Sequence, residues 1–109
     1  MISPTGSPEQ PLVRREQLPL PRSYVAPRTP TETQLAEIWR TVLGMDRVGV
    51  EDRYSDLGGD SFLATAIFRM IEETFRVTLP MAVLVEAPTI AQLAPKVDVL
   101  LSDSPKGGS

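Results

Sequence analysis

The residues best suited to chemistry are a serine and the aspartate before it, which follow a pair of glycines. They form the segment Gly58-Gly59-Asp60-Ser61. Glycines crowd a neighbouring serine little, and Asp60 and Ser61 are both residue types that begin helices. The free N–H groups and the positive dipole end of a helix that starts here would favour a phosphate ester on Ser61. The segment therefore predicts a serine that can be phosphorylated or joined through a phosphodiester.

Two other interpretations fit the same residues. Gly-Asp-Ser before a helix is most often only a helix cap, and the tripeptide alone favours that role. The segment Gly59-Asp60-Ser61-Phe62-Leu63 also resembles the nucleophile block of the lipase-like hydrolases that are named for Gly-Asp-Ser-Leu. Those enzymes need a histidine base, and this sequence has no histidine.

The amino-acid composition argues against catalysis by the chain itself. Its 109 residues include no cysteine and no histidine, and they suffice for one small domain. A disulfide, a thiolate zinc site, a cysteine nucleophile and a Ser-His-Asp triad are therefore all excluded. We expect no catalytic residue and no metal site, and any thiol would have to be supplied by another molecule.

The charge distribution constrains the partners. Residues 1–30 have a net charge of +2, whereas residues 31–101 carry six basic and eleven acidic side chains. An acidic domain argues against nucleic acid as a partner. Met1–Gln10 shows no secretory signal, and no apolar run is long enough to cross a membrane. We therefore expect a cytoplasmic monomer that has no membrane partner.

Proline divides the chain into regions. Seven of the eleven prolines lie in residues 1–30, and proline fixes φ, donates no backbone hydrogen bond and favours extended chain. We therefore predict a largely disordered, proline-rich linker at residues 1–29. A folded domain follows at residues 30–101, and residues 102–109 are expected to be a flexible tail.

The folded region is predicted to be all-α, with three main helices, a short third helix and a long first loop. Apolar spacing places the helices at about residues 32–43, 61–74, 81–86 and from 90 onward. Thr31 with Gln34, and Thr89 with Gln92, match capping boxes. Pro95 lies inside the last helical pattern, where it predicts a kink or an early break.

Several blocks in a fixed order resemble the carrier proteins, also called thiolation domains. The likeness covers about residues 22–101 and is strongest to the peptidyl carrier proteins of nonribosomal peptide synthetases. The attachment segment Asp56–Leu63 resembles their phosphopantetheine attachment site. The other blocks that carry the likeness are Tyr24–Glu32, Leu35–Leu43 with Trp39, Val48–Asp52, Leu79-Pro80 and Glu86–Ile90.

The resemblance implies an acyl-carrier-protein-like four-helix bundle and a covalent cofactor. Ser61, flanked by Gly58, Gly59 and Asp60, would receive 4′-phosphopantetheine from coenzyme A through a separate phosphopantetheinyl transferase. The thiol of that arm would hold aminoacyl or peptidyl groups as thioesters. Adenylation, condensation, epimerisation, thioesterase or tailoring domains would be the partners and would supply the catalysis.

The sequence departs from the peptidyl carrier pattern at several positions. Asp60 stands where many peptidyl carriers have histidine. An acidic residue there resembles polyketide and fatty-acid carriers, and also peptidyl carriers that serve epimerisation domains or are free-standing proteins. An acyl carrier of a polyketide or hybrid pathway is therefore an alternative. Ser55 replaces a common aromatic residue in the loop. Val13–Pro21 resembles the end of an adenylation domain, but the lysine expected near Leu12 is missing. A helical interaction module without a prosthetic group remains a third hypothesis.

A partner surface is predicted beside Ser61. Side chains on the solvent side of the second helix and on the short third helix are its candidates: Phe62, Thr65, Ala66, Arg69, Met81 and Val85. An aromatic residue is favoured at interfaces, although Phe62 could instead pack against Leu57 and Tyr54. Four acidic residues near Ser61 could steer a basic partner or simply form a solvated loop. They are Glu51, Asp52, Asp56 and Asp60.

Overall fold

Four α-helices make up most of the computed structural model, which describes residues 12–103. They are α1 (Pro30–Leu43), α2 (Ser61–Phe75), α3 (Val83–Glu86) and α4 (Ile90–Asp103). Two 3-10 turns, Arg15–Gln17 and Ser55–Leu57, lie before α1 and α2. Within the described range the only β pairing consists of two isolated bridges. The predicted all-α class, with a short third helix and a long first loop, is confirmed.

The start of α1 differs from the prediction by two residues. Thr29 is the N-cap, and its Oγ1 accepts a hydrogen bond of 3.0 Å from the backbone N–H of Glu32. Pro30 is the first helical residue, where its missing N–H costs nothing and its fixed φ suits the helix. The predicted Thr31 cap was therefore wrong. Thr31 instead donates its hydroxyl to Asp98 of α4.

The other helix ends lie within two residues of their predicted positions. Asp60 caps α2 by accepting from the N–H of Leu63 at 2.9 Å, and the helix runs to Phe75, one residue beyond the prediction. Thr89 accepts from the N–H of Gln92 as predicted. The short α3 begins at Val83, two residues later than expected, because residues 81–82 form a turn.

The predicted early break at Pro95 does not occur. The helix α4 continues through Pro95 to Asp103. Leu93, Ala94 and Val97, on both sides of the proline, are buried, whereas Pro95 itself is exposed. Packing of the apolar stripe therefore outweighs the loss of one backbone hydrogen bond.

Helix α1 contacts both α2 and α4, so its apolar stripe lies at the centre of the core. Trp39 is fully buried, and its ring meets that of Tyr54 edge to face at 6.2 Å between centroids. The loop side chains Val48, Val50 and Leu57 are buried too. The largest side chains with almost no exposure are Trp39, Leu35, Met45, Ile67, Ile71, Ile90, Leu93, Val50 and Val97.

Residues 12–29 lie along the bundle and do not extend away from it. Val13 pairs with Met45 in a parallel bridge, and Arg15 is buried against Asp52 of the first loop. The predicted division into linker, domain and tail stays a prediction, but this part of the linker is packed. In residues 12–103, none of the helices has the length and apolar character that crossing a membrane requires.

A buried carboxylate at the start of α1 makes stability depend on pH. Glu32 accepts from the backbone N–H of Arg28 at 2.8 Å and from its guanidinium at 3.1 Å. The hydrogen bond from the Arg28 side chain holds the pKa of Glu32 below its ordinary 4.5. A lowered folded pKa gives stability that is present above the unfolded pKa and is lost as the pH falls through the folded one.

We predict that Glu32→Gln lowers the free energy of unfolding at neutral pH by about 1 kcal/mol. The deficit should shrink as the pH falls below about 4.5 and vanish once Glu32 is protonated in both states. Urea unfolding across this pH range measures it. The control is Glu37→Gln, which breaks an exposed pair with Arg40 and should cost less than about 0.5 kcal/mol. A deficit unchanged in acid would contradict the prediction.

Candidate functional site

Ser61 lies where the long first loop meets α2. It is the first residue of the helix, and its side chain is exposed. The cap by Asp60 holds the backbone just before it, so the serine has a defined position without being covered. The N–H groups and dipole of the helix start lie behind the hydroxyl and favour a phosphate placed on it. The residues present therefore fit a phosphodiester-linked group at Ser61.

Glycine is needed at the two positions before the site for different structural reasons. Gly58 has φ of 88°, a left-handed conformation in which a side chain is strained. Gly59 has a negative φ, but a Cβ on it would lie only 2.2 Å from Cζ of the Tyr54 ring. Gly58 is therefore required by backbone geometry, and Gly59 by the close approach of an aromatic ring.

Tyr54 connects the core to the backbone just before Ser61. Its ring is buried against Trp39, and its hydroxyl donates a hydrogen bond of 2.6 Å to the backbone carbonyl of Asp60. Burial, together with the nearby Asp60 carboxylate, raises the pKa of the Tyr54 hydroxyl above its ordinary value. The hydroxyl therefore remains protonated at neutral pH and continues to hold the residue before Ser61.

The sequence patterns did not predict the role of the Tyr54 hydroxyl, and Tyr54 entered the predictions only as a possible packing partner of Phe62. A usable signal was present. A buried tyrosine must find a partner for its O–H, and a paired glycine five residues later marks a place where the backbone can approach the ring. The structure brings these two features together at Gly59 and Asp60.

The six candidate partner residues are all exposed. Phe62 is 81% exposed and Val85 is 85% exposed, whereas Met81 is 38% exposed. Tyr54 and Leu57 are buried without any cover from Phe62, so the alternative packing of Phe62 was wrong. The Thr65 hydroxyl lies 3.5 Å from the sulfur of Met81, which joins α2 to the turn before α3. The other two residues, Ala66 and Arg69, are on the exposed side of α2.

The four acidic residues near Ser61 do not form one surface. Asp52 is buried and paired with Arg15, so the suggestion that it steers a partner was wrong. Glu51 is half-buried and lies 4.0 Å from Arg22. Asp56 and Asp60 are exposed, and they alone could present negative charge directly beside the serine.

Comparison with known proteins identifies the family of the chain. The family model described as "Phosphopantetheine attachment site" matches residues 33–95. Tyrocidine synthase 3 from Brevibacillus parabrevis is 44% identical over 92 residues, which cover 78% of this chain. The matched region is 1% of that synthase, so this chain corresponds to a small part of such a protein.

This chain matches nearly the full length of two solved carrier proteins. An active-site mutant of a peptidyl carrier protein is 37% identical with a TM-score of 0.70, and the match covers 74% of this chain and 90% of that one. The peptidyl carrier protein solved with the phosphopantetheine transferase Sfp and coenzyme A is 39% identical with a TM-score of 0.68. That match covers 70% of this chain and 99% of the carrier. The chain thus belongs to the phosphopantetheine attachment site family, as a carrier domain of the peptidyl carrier type.

Proposed function

We propose that Ser61 receives phosphopantetheine and that the arm holds aminoacyl or peptidyl groups as thioesters during nonribosomal peptide synthesis. The observation that carries the proposal is the exposed serine at the first position of α2, on a backbone held by Tyr54 and Asp60. The family match and the peptidyl carrier structures support it.

The chemistry of attachment requires little from this chain. The Ser61 oxygen displaces 3′,5′-ADP from coenzyme A, and its proton passes to a base of the transferase. The attached arm supplies the thiol that the sequence lacks. The contribution of the chain is to present the hydroxyl and to place the new phosphate at a helix N-terminus. We propose that the chain is non-catalytic and that partner domains supply the bases.

We propose that the first partner is a phosphopantetheinyl transferase. A carrier 39% identical to this chain has been solved with such an enzyme and coenzyme A. Adenylation, condensation, epimerisation, thioesterase or tailoring domains would then take turns at the same exposed face. The exposed Phe62 and Val85, which no described residue covers, suit such transient contacts.

A second candidate function differs only in cargo. The reason to consider an acyl carrier of a polyketide or hybrid pathway is Asp60 before the serine, a position at which this chain resembles polyketide and fatty-acid carriers as well as some peptidyl carriers. Loading distinguishes the two: aminoacylation of the holo protein by an amino-acid adenylation domain supports the peptidyl assignment. Loading only by an acyltransferase, and never by adenylation domains, supports the acyl carrier.

The attachment residue is tested by intact mass after incubation with coenzyme A and a broad-specificity transferase. The wild type should gain one phosphopantetheine, and Ser61→Ala should gain none. Ser55→Ala, which removes another exposed serine of the same loop, is the matched control and should be modified like the wild type. Modification of Ser61→Ala would overturn the assignment of the site.

The Tyr54–Gly59 contact predicts a second effect on attachment. A methyl group on Gly59 must displace the Tyr54 ring and so loosen its hydrogen bond to Asp60. Gly59→Ala should therefore lower kcat/KM of the transferase by about tenfold because the serine is less well positioned. Gly44→Ala is the control, since it strains a left-handed residue at the other end of the loop without any clash. An unchanged rate for Gly59→Ala would contradict the prediction.

Phe62→Ala should weaken loading by a partner domain without changing the stability of the carrier. Because the ring is 81% exposed, the free energy of unfolding should change by less than about 0.5 kcal/mol. Loading by a partner should nevertheless fall by about tenfold or more in kcat/KM, as expected for an aromatic interface residue. Val99→Ala, which removes a 58% exposed side chain from α4, should leave loading unchanged. Equal loading of both variants would exclude Phe62 from the interface.

A further inference from the structure

Residues 13–25, which we call the arm, are held on the bundle at both ends by backbone hydrogen bonds. The N–H of Val13 donates to the carbonyl of Gly44, and the N–H of Asp46 donates to the carbonyl of Val13, each at 2.8 Å. At the other end the N–H of Val50 donates to the carbonyl of Val25 at 2.9 Å. The arm therefore follows the first part of the loop between α1 and α2.

A buried ion pair between Arg15 and Asp52 also joins the arm to the loop. Arg15 donates from Nε and from Nη2 to the two carboxylate oxygens of Asp52, both at 2.6 Å. The side chains are only 8% and 1% exposed. The same carboxylate accepts from the N–H of Gly49, and Arg15 Nη2 also donates to the carbonyl of Arg22. The N–H of Arg15 donates to Asp46 at 2.9 Å.

This geometry makes the loop dependent on the arm. A carboxylate as buried as Asp52 is costly unless a cation pairs with it, and Arg15 is its cationic partner. The two parallel N–H bonds match a guanidinium and no other side chain. The buried carboxylate of Asp52 therefore selects an arginine at this point of the arm.

Tyr24 covers the pair from outside. Its ring faces two guanidinium groups, that of Arg47 at 4.1 Å and that of Arg15 at 5.4 Å from the ring centre. The neighbouring Arg14 is very different, since it pairs with Glu16 while both side chains remain more than half exposed. Within the arm, the buried contact thus belongs to Arg15 and not to basic charge in general.

We propose that the arm is a latch. When Arg15 is paired with Asp52, the arm and the bundle move as one body, and residues 13–25 add nothing to the length of the tether. When the latch opens, the same 13 residues can extend and lengthen the reach of the carrier by up to about 40 Å. The latch is independent of whether Ser61 is the attachment residue.

The closed latch also shapes the surface next to the attachment loop. Pro21 and Arg22 of the arm form one wall of an open groove whose other wall is Arg53 and Asp56. Asp56 belongs to the 3-10 turn that precedes Gly58. Opening the latch removes the arm's wall, so a partner that approaches this side of the carrier meets a different surface in each state.

Amide ¹⁵N relaxation of the full chain tests the latch. In the wild type, residues 13–25 should have order parameters near those of the helices, about 0.85, because the arm is bound. In Arg15→Gln they should fall below about 0.6 while the helices stay rigid. Arg14→Gln is the matched control and should leave the arm as rigid as in the wild type.

Tryptic cleavage of the Arg22–Ser23 bond, followed by mass, is an independent readout. Cleavage should be about tenfold faster or more in Arg15→Gln than in the wild type or Arg14→Gln, since cleavage follows the open population. If Arg15→Gln fails to fold, Arg15→Gln/Asp52→Asn removes the buried charge and should show the same loosened arm. A mobile arm in the wild type, or a rigid arm in folded variants that lack Arg15, would overturn the proposal.

Discussion

The contact between Tyr54 and the backbone at Gly59 and Asp60 is the constraint on which the candidate site at Ser61 depends. The ring is fixed from below by Trp39, which is itself fully buried between helices. The hydroxyl above holds the carbonyl of the residue that caps α2. The position of an exposed serine is thus set by the core, although Ser61 itself makes no contribution to the core. This is how a small bundle can keep a reactive position both accessible and ordered.

Local patterns in the sequence predicted most of the fold. The apolar stripes of α1, α2 and α4 and the caps by Asp60 and Thr89 depend on residues within one or two turns of each other. The wrong predictions also concerned residues that are close together in the sequence. At α1 the Thr29-Pro30 pair displaced the predicted Thr31 cap, and in α4 the buried stripe carried the helix through Pro95. At α1 two possible caps lay two residues apart, and in α4 a helix-breaking proline lay within an apolar stripe. The spacing of residue types alone could not show which of the two would prevail.

The contacts that escaped prediction join residues far apart in the sequence or need exact side-chain geometry. Arg15 and Asp52 are separated by 37 positions. Arginine and aspartate are mostly exposed in proteins, so neither residue type indicates a buried pair. Proline content predicted a largely disordered linker at residues 1–29 but gave no sign that Arg15 of that stretch is buried against Asp52. The Ser61 segment was recognisable because its chemistry is local. The hydroxyl of Tyr54 was not, because its partner is a backbone carbonyl that only the folded loop presents.

Stability and presentation are assigned to different residues in this domain. The buried groups, such as Trp39, Tyr54 and the Arg15–Asp52 pair, hold the loop and helices in place. The exposed apolar groups Phe62 and Val85 contribute little to folding and leave apolar area open to water. On the proposed function the domain meets several partners in turn, so it cannot bury its contact surface permanently in any of them. Exposed apolar side chains, together with an exposed serine on a held backbone, would then be what repeated, reversible docking requires.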